Sequence, residues 1–358
     1  MKEHDKIKIN QCTITLTRNC NLRCDFCYAK EAGYIENETI EYENLKRIID
    51  FCDEGKVKFL VFTGGEPTLY PNLIEILQYI KNKKHNMVPA ITTNGILLEN
   101  LDYCKSMIDN GVGYIDISLK GKNNVNCYTV SGQYCFEQQM NAIRNLSTLP
   151  VEFTCSMVLT WNNINNFHET IKNAWDNGAR QFSFTFVIDN KRLEKQPFRY
   201  LEKYNPFHLI KSFISQIDKL NTITTNWWIE YSFPLCVYTP KQLSLLKGKL
   251  AAPCQIHKRN GITFNTKMNL LPCSMYFDSP GEQLGVDFFT YKDFIKKINH
   301  MSYKFTIDSL NLLPSEDCHS CEYLRLCYGG CPITWKNYSF AMLKQLKTKY
   351  MDINKNTI

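Results

Sequence analysis

Six short β-rich runs, at residues 12–17, 57–63, 87–93, 113–119, 151–159 and 181–188, alternate with longer amphipathic stretches between residues 11 and about 215. This alternation constrains the fold more than any other feature, because strands separated by helix-length segments pair in parallel with the helices packed outside. Leu45, Ile48, Ile49 and Cys52 recur at helical spacing, as do Leu73, Ile76, Leu77 and Ile80. Gly55, Pro71, Gly95, Gly111 and Pro150 fall where the loops belong. About six βα units predict an α/β fold, a partial (β/α)6 TIM-like barrel over residues 1–188 whose open side admits a large substrate. In such a barrel, chemistry gathers at the C-terminal ends of the strands.

The pattern then changes. Residues 189–250 are rich in Lys, Asn, Pro and aromatics, with one helix near 206–220, and read as a bridge. Residues 251–338 carry short turns and clustered cysteines, with too little apolar periodicity to stand without cross-links or metal, and predict a small Cys-rich domain. Residues 339–358 read as a polar tail. The charged first ten residues lack the apolar stretch of a signal peptide. No run approaches the ~20 apolar residues of a membrane span, so a cytoplasmic protein without a membrane partner is expected. The net charge of +7 is spread over scattered Lys and Arg. With no dense basic run, no nucleic-acid partner is expected.

Sixteen cysteines without an export signal point to metal ligation or redox chemistry, since the cytosol keeps thiols reduced. Cys20, Cys24 and Cys27 directly follow the first strand. Three thiolates at this spacing fit a cubane cluster and leave its fourth iron open to another ligand. Structural zinc normally asks for four closed ligands, and the nearest His, His4, lies before the strand.

The string Cys20-Asn-Leu-Arg-Cys24-Asp-Phe-Cys27-Tyr28 resembles the signature of the radical S-adenosylmethionine superfamily, with the aromatic Phe26 just before the third cysteine. The resemblance implies a 4Fe–4S cluster on the three cysteines and S-adenosylmethionine chelated to its open iron. One-electron cleavage of the sulfonium would then give a 5′-deoxyadenosyl radical. It also implies that Phe26 and Tyr28 border the cofactor. Thr63-Gly64-Gly65-Glu66-Pro67, at the end of the second strand, resembles the family's GGEP motif, where backbone groups and the carboxylate receive the methionine amino group. By the same resemblance Asn94, Ser118 and Lys120, at the ends of strands three and four, contact its ribose or carboxylate. Many relatives with a second cluster domain have Asp at the place of Lys120. Ser118-Leu-Lys-Gly followed by Val130-Ser-Gly132 resembles the glycyl-radical activating enzymes instead.

Near the C-terminus, Cys318, Cys321, Cys327 and Cys331 follow Cys254 and Cys273. This arrangement resembles the SPASM auxiliary-cluster domain. The resemblance implies one or two auxiliary 4Fe–4S clusters: one on Cys254, Cys273 and Cys331, the other on Cys318, Cys321 and Cys327. The family pattern ends with a further cysteine, and none follows Cys331 here. Cys236 is a candidate extra ligand of the first auxiliary cluster. Zinc remains an alternative in this region, because close cysteine pairs also build zinc knuckles. Cys12, Cys52, Cys104, Cys127, Cys135 and Cys155 read as packing residues. Cys127 and Cys135 carry a second reading, as hydrogen-atom donors to a substrate radical.

The resemblance implies an enzyme that modifies a ribosomally made peptide by crosslinking, thioether formation or epimerisation, fed by a flavodoxin- or ferredoxin-type donor. The alternatives are protein maturation, such as a sulfatase formylglycine or a glycyl radical, and assembly of a peptide-derived redox cofactor. An iron–sulfur electron carrier or sensor is the reading from another class. The aromatic bridge Trp227, Trp228, Tyr231 and Phe233 reads as packing between domains. With the first strand beginning by Gln11, a leader-bearing substrate is expected to dock on the barrel, the bridge or another protein.

Overall fold

A computed structural model describes residues 8–30, 38–187, 206–231, 233–251, 253–277 and 280–352. Residues 189–205 of the expected bridge, His4, Ile188 and the end of the tail lie outside the described residues. The six expected strands are β1 (Gln11–Thr17), β2 (Phe59–Gly64), β3 (Val88–Thr93), β4 (Tyr114–Leu119), β5 (Glu152–Leu159) and β6 (Phe182–Phe186), each parallel to the next. Helices α1 (Tyr42–Glu54), α2 (Leu73–Lys81), α3 (Leu101–Asp109), α4 (Asn124–Ser131), α5 (Phe136–Ser147) and α6 (Phe167–Asp176) connect them.

Pleating explains why the strands read so clearly. In β4, Ile115, Ile117 and Leu119 are buried against the helices, while Tyr114, Asp116 and Ser118 face the half-open interior. Opposite them, α1 buries Leu45, Ile48, Ile49 and Cys52, and α2 buries Leu73, Ile76, Leu77 and Ile80. Each such aliphatic side chain contributes roughly 1.5–3 kcal/mol on leaving water. Cys12, Cys52, Cys104, Cys127, Cys135 and Cys155 are all fully buried, as packing residues are.

The sheet does not stop at six strands. β7 (Trp227–Tyr231), within the expected bridge, pairs in parallel with β6. Trp227 is buried against Phe184 and Phe213, and Phe233 stacks on Phe186, which bears out packing for these two rings. At the other edge β8 (Gly261–Phe264) pairs in parallel with β1, and β9 (Leu270–Leu271) pairs antiparallel with β8. The strand order is β7-β6-β5-β4-β3-β2-β1-β8-β9. The Cys-rich region is therefore continuous with the barrel sheet. It is also clamped from outside: Phe51 of α1 meets Phe264, Phe288, Tyr291 and Phe294, and the Glu54 carboxylate accepts from the Tyr291 N–H at 2.8 Å. Among the described residues, no helix is long and apolar enough to cross a membrane.

Candidate functional site

The loop carrying Cys20, Cys24 and Cys27 leaves the C-terminal end of β1 and is pinned from several strand ends at once. Asn94, just past β3, donates through Nδ2 to Asn21 Oδ1 at 2.7 Å. Asn162, past β5, donates to the Asp25 carboxylate at 2.6 Å. The N–H groups of Arg23 and Asp25 donate to the carbonyls of Ser131 and Val130. These bonds hold the three thiols against Leu22, Phe26, Cys127 and Cys135.

The β2 end explains its glycines. Gly64 has φ of 149°, and a Cβ there would lie 2.1 Å from the Thr17 carbonyl; a Cβ on Gly65 would lie 2.1 Å from that of Asn19. The close approach is thus between the chain's own strand ends, sealed by Gly65 N–H donating to Thr17 and Glu66 N–H to Asn19, each at 2.7 Å. Pro67 then opens a short 3₁₀ turn, Pro67–Leu69.

Glu66 ties two strand ends together. Its carboxylate is buried and accepts from Thr68 N–H, Thr68 Oγ1 and Thr93 Oγ1 on one oxygen and from Asn94 N–H on the other. Three of these donors converge on one oxygen, while the other accepts only from Asn94 N–H and keeps a further acceptor position. Glu66 is a latch joining the ends of β2 and β3. Burial raises its pKa, opposed by these donors.

Lys120 is buried, donates to Ser118 Oγ at 2.7 Å and stands 5.3 Å from the centre of the Phe26 ring. Its charge lowers the pKa of Cys24, which burial raises. Sequence reasoning missed Gln139 of α5. It is fully buried, donates to the carbonyls of Asn94 at 2.7 Å and Ser118 at 2.9 Å, and accepts from Lys120 N–H. A lone Gln on an apolar helix face was the available signal. Asp116, one step below Ser118 inside the barrel, was also missed; its Oδ1 is buried without a partner. Burial pushes it up to about 7, with a Ser156 hydrogen bond opposing, Glu230 adding and Lys120 opposing.

Burial pushes Cys20 up to about 11, and the neighbouring Glu66, Cys24 and Cys27 add to the effect. Three thiols that repel one another once ionised suit a core of positive metal, which would hold them deprotonated. Among the described residues no group of three or more His, Cys, Asp or Glu is gathered tightly enough for a single metal ion. One tetrahedral ion draws its thiolates to within about 4 Å, given Zn–S bonds of about 2.3 Å. In a cubane each thiolate takes a different iron, and three thiols on one loop are a donor set chemically suited to that group. Tyr28 runs from this loop toward the second thiol region, hydrogen-bonded to Thr63 and Ser274; burial first, then Cys27, push it up to about 12.

The C-terminal cysteines fall into two groups. Cys273 interacts with Cys331 and Cys254, and Cys331 with Cys254; burial pushes Cys273 and Cys331 up to about 12. Cys327 interacts with Cys318 and Cys321. Cys236 belongs with this second group, since its thiol neighbours are Cys327 and Cys318. The expectation was that it joins Cys254 and Cys273; instead the N–H of the adjacent Leu235, in the short 3₁₀ turn Leu235–Val237, donates to Cys327 Sγ at 3.3 Å. A cavity of about 490 Å³, counted with its open mouth, is bordered by Glu230 of β7 together with Cys254, Cys327 and Cys331. The cavity thus lies between β7 and the auxiliary thiols. Cys127 and Cys135 share a hydrogen bond that raises the first thiol and lowers the second to about 7, and neither is exposed.

Residues 14–174 match the family model described as the Radical SAM superfamily. The chain is 31% identical over 121 residues to a probable GTP 3′,8-cyclase of Methanococcus aeolicus, covering 33% of this chain and 40% of that protein. It is 29% identical over 180 residues to the antilisterial bacteriocin subtilosin biosynthesis protein AlbA of Bacillus subtilis, covering 49% and 39%. These matches span about two fifths of each relative's length. Among solved structures it is similar to anSMEcpe with bound AdoMet, at TM-score 0.69 and 18% identity over 97% of this chain and 98% of that one. It is also similar to Streptococcus suis SuiB bound to precursor peptide SuiA, at TM-score 0.66 and 17% identity over 93% and 74%. Over residues 14–174, which include the thiol loop on the barrel rim, the chain is thus similar to the Radical SAM superfamily.

Proposed function

We propose that this protein is a radical S-adenosylmethionine enzyme that modifies a ribosomally made peptide or a protein. One observation carries the reading: Cys20, Cys24 and Cys27 sit at the C-terminal rim of a half-open barrel, beside the Gly64–Gly65 turn, with Tyr28 between Cys27 and Cys273 of the second thiol region. In this reading the three thiols hold a 4Fe–4S core, and the backbone of residues 64–66 with Asn94, Ser118 and Lys120 borders S-adenosylmethionine. When bound, these groups supply reductive cleavage of the sulfonium and a 5′-deoxyadenosyl radical.

The chain's own residues orient and enclose. The Glu66 latch fixes the relative height of β2 and β3. Gln139 fixes β3 against β4, and Lys120 places a buried positive charge beside Cys24. Phe26 and Leu22 exclude water from one side of the loop. The auxiliary thiols would hold iron–sulfur groups, whose chemistry would supply an acceptor for the electron a substrate radical loses when its new bond forms. The likeness in architecture to SuiB with its precursor peptide and the partial identity to AlbA support a peptide substrate. A crosslink, a thioether or an inverted centre is the product class, and a flavodoxin- or ferredoxin-type protein the donor. A cytoplasmic location, where thiols stay reduced, goes with this reading.

The test is anaerobic incubation of iron-loaded protein with dithionite and S-adenosylmethionine. Release of 5′-deoxyadenosine by the parent and none by Cys24→Ala is expected, whereas a plain electron carrier releases none in either case. Co-expression with a small peptide encoded beside the gene should then change that peptide's mass, and an unchanged mass across all such peptides would sink the peptide reading.

A further inference from the structure

We propose that Cys236, from the segment between β7 and the Cys-rich region, is the fourth protein ligand of the auxiliary iron–sulfur site formed by Cys318, Cys321 and Cys327. The inference rests on the auxiliary clusters of the reading above and assigns a ligand that lies about 80 residues away in sequence from the other three.

Three contacts fix the position. The Leu235 N–H, one residue before Cys236, donates to Cys327 Sγ at 3.3 Å. Pro234 packs on Gly330 so closely that a Cβ there would lie 2.9 Å from the proline ring. From the other side, Lys347 donates to the carbonyls of Cys236 at 2.7 Å and Tyr238 at 3.1 Å, while Lys344 of the same helix, Phe340–Asp352, pairs with Asp317, next to Cys318. The turn bearing Cys236 is therefore held between the Cys327 sulfur and a helix that also grips the Cys318 end of the loop. Cys327 and Cys318 are the thiols its charge would meet, while Cys254, Cys273 and Cys331 meet one another.

The chemistry of the set agrees with the placement. Four thiolates, each taking one iron, close a cubane completely. Cys236 supplies the fourth thiolate from upstream of the trio. Ligation exchanges four thiol protons for four iron–sulfur bonds, with no change of oxidation state required at sulfur. The site so closed has no open iron and suits electron relay. The group on Cys254, Cys273 and Cys331, two of whose thiols border the cavity, would have three thiolates for its cubane.

The experiment uses the full chain with Cys20, Cys24 and Cys27 changed to Ala, so that only auxiliary iron is counted. Anaerobic reconstitution should give about 8 irons and 8 sulfides per chain in this parent, at four per cubane. Adding Cys236→Ala should lower iron to about 4 per chain, or else leave a three-thiolate cubane that sheds its unique iron on mild ferricyanide oxidation. The second case reads as about one additional 3Fe–4S electron-spin signal per chain over the parent. Cys236→Ser, which keeps size and polarity at this exposed position, guards against misfolding and should show the same change. Equal iron and equal spin count in parent and both variants overturn the proposal alone. A parent without iron, or with zinc in its place, overturns the auxiliary-cluster reading and the proposal with it.

Discussion

Cys20, Cys24 and Cys27 hang from the end of a strand paired on both sides, whereas Cys318, Cys321 and Cys327 sit among a 3₁₀ turn of three residues and a helix of four. The first group has a finished core behind it: β1 buries Cys12, Ile14 and Leu16 completely, and its loop is stitched to the ends of other strands. Beneath the second group there is little regular structure, with Tyr328 and both following glycines at positive φ. The lesson is one of direction. On the barrel the fold positions the thiols, while in the C-terminal loop bound metal is what would position the fold.

The largest effect that separates the two regions is metal removal. Structural metal sites can supply on the order of 10 kcal/mol of folding free energy. Chelation should therefore strip hydrogen-exchange protection from residues 311–338 by at least about a thousandfold, while β1 to β6 keep theirs. Equal protection of both regions in the apo protein would erase the contrast. The mirror experiment is Cys20, Cys24 and Cys27 all changed to Ala. Release of 5′-deoxyadenosine should fall at least about a thousandfold, or ~4 kcal/mol in the barrier, because the group that does the chemistry is gone. The melting midpoint of the barrel should stay within a few degrees.

The same contrast governs what could be read from the chain. β1 to β6 were legible because each alternates buried and interior-facing residues between amphipathic helices, so local pattern and global packing agree. β7 was not, since Trp227-Trp228-Ile229-Glu230-Tyr231 has the aromatics of an interface and earns its pairing only from the exposed edge of β6. β8 and β9, of four and two residues, exist because β1 offers an edge, which no local signal encodes. Spacing gave the trio Cys20, Cys24 and Cys27, and the resemblance to the SPASM domain implied Cys318, Cys321 and Cys327. It gave neither the neighbours of Cys236 nor the four donors on Glu66, because those depend on chain segments brought together only by the sheet.

Glu66 sharpens the comparison on the barrel side. If the fold positions the thiol loop, loosening the latch should disturb it without any change in the cysteines. Glu66→Ala leaves the N–H groups of Thr68 and Asn94 and the Thr93 hydroxyl without their acceptor. Losing buried partners of this kind costs about 1–3 kcal/mol each, so a net loss of about 3 kcal/mol is expected once the hydroxyls have turned to other acceptors. Iron content after reconstitution should fall along with stability. Glu66→Gln keeps size and two acceptor sites and should lie between parent and Ala. Full iron loading of Glu66→Ala would show that the loop holds itself.

Asp116 gives the smallest effect and the one with a defined pH window. Its folded-state value of about 7 lies above the ordinary 3.8, chiefly through burial. Between those two values the folded protein keeps a proton that the unfolded chain has released. Stability therefore falls as pH rises from about 4 to about 7, and the cost is complete above that. Three pH units correspond to at most about 4 kcal/mol, and the partly open barrel interior screens this to on the order of 2 kcal/mol. Asp116→Asn retains a side chain able to pair with Ser156 and carries no charge beside Glu230. Its melting midpoint should exceed the parent's by a few degrees at pH 8 and match it near pH 4. A parallel shift at both pH values would assign the change to packing and remove the titration from the account. If turnover falls in Asp116→Asn while stability rises, the unpartnered Oδ1 inside the barrel is held for substrate, because a side chain kept only for the fold would not be missed.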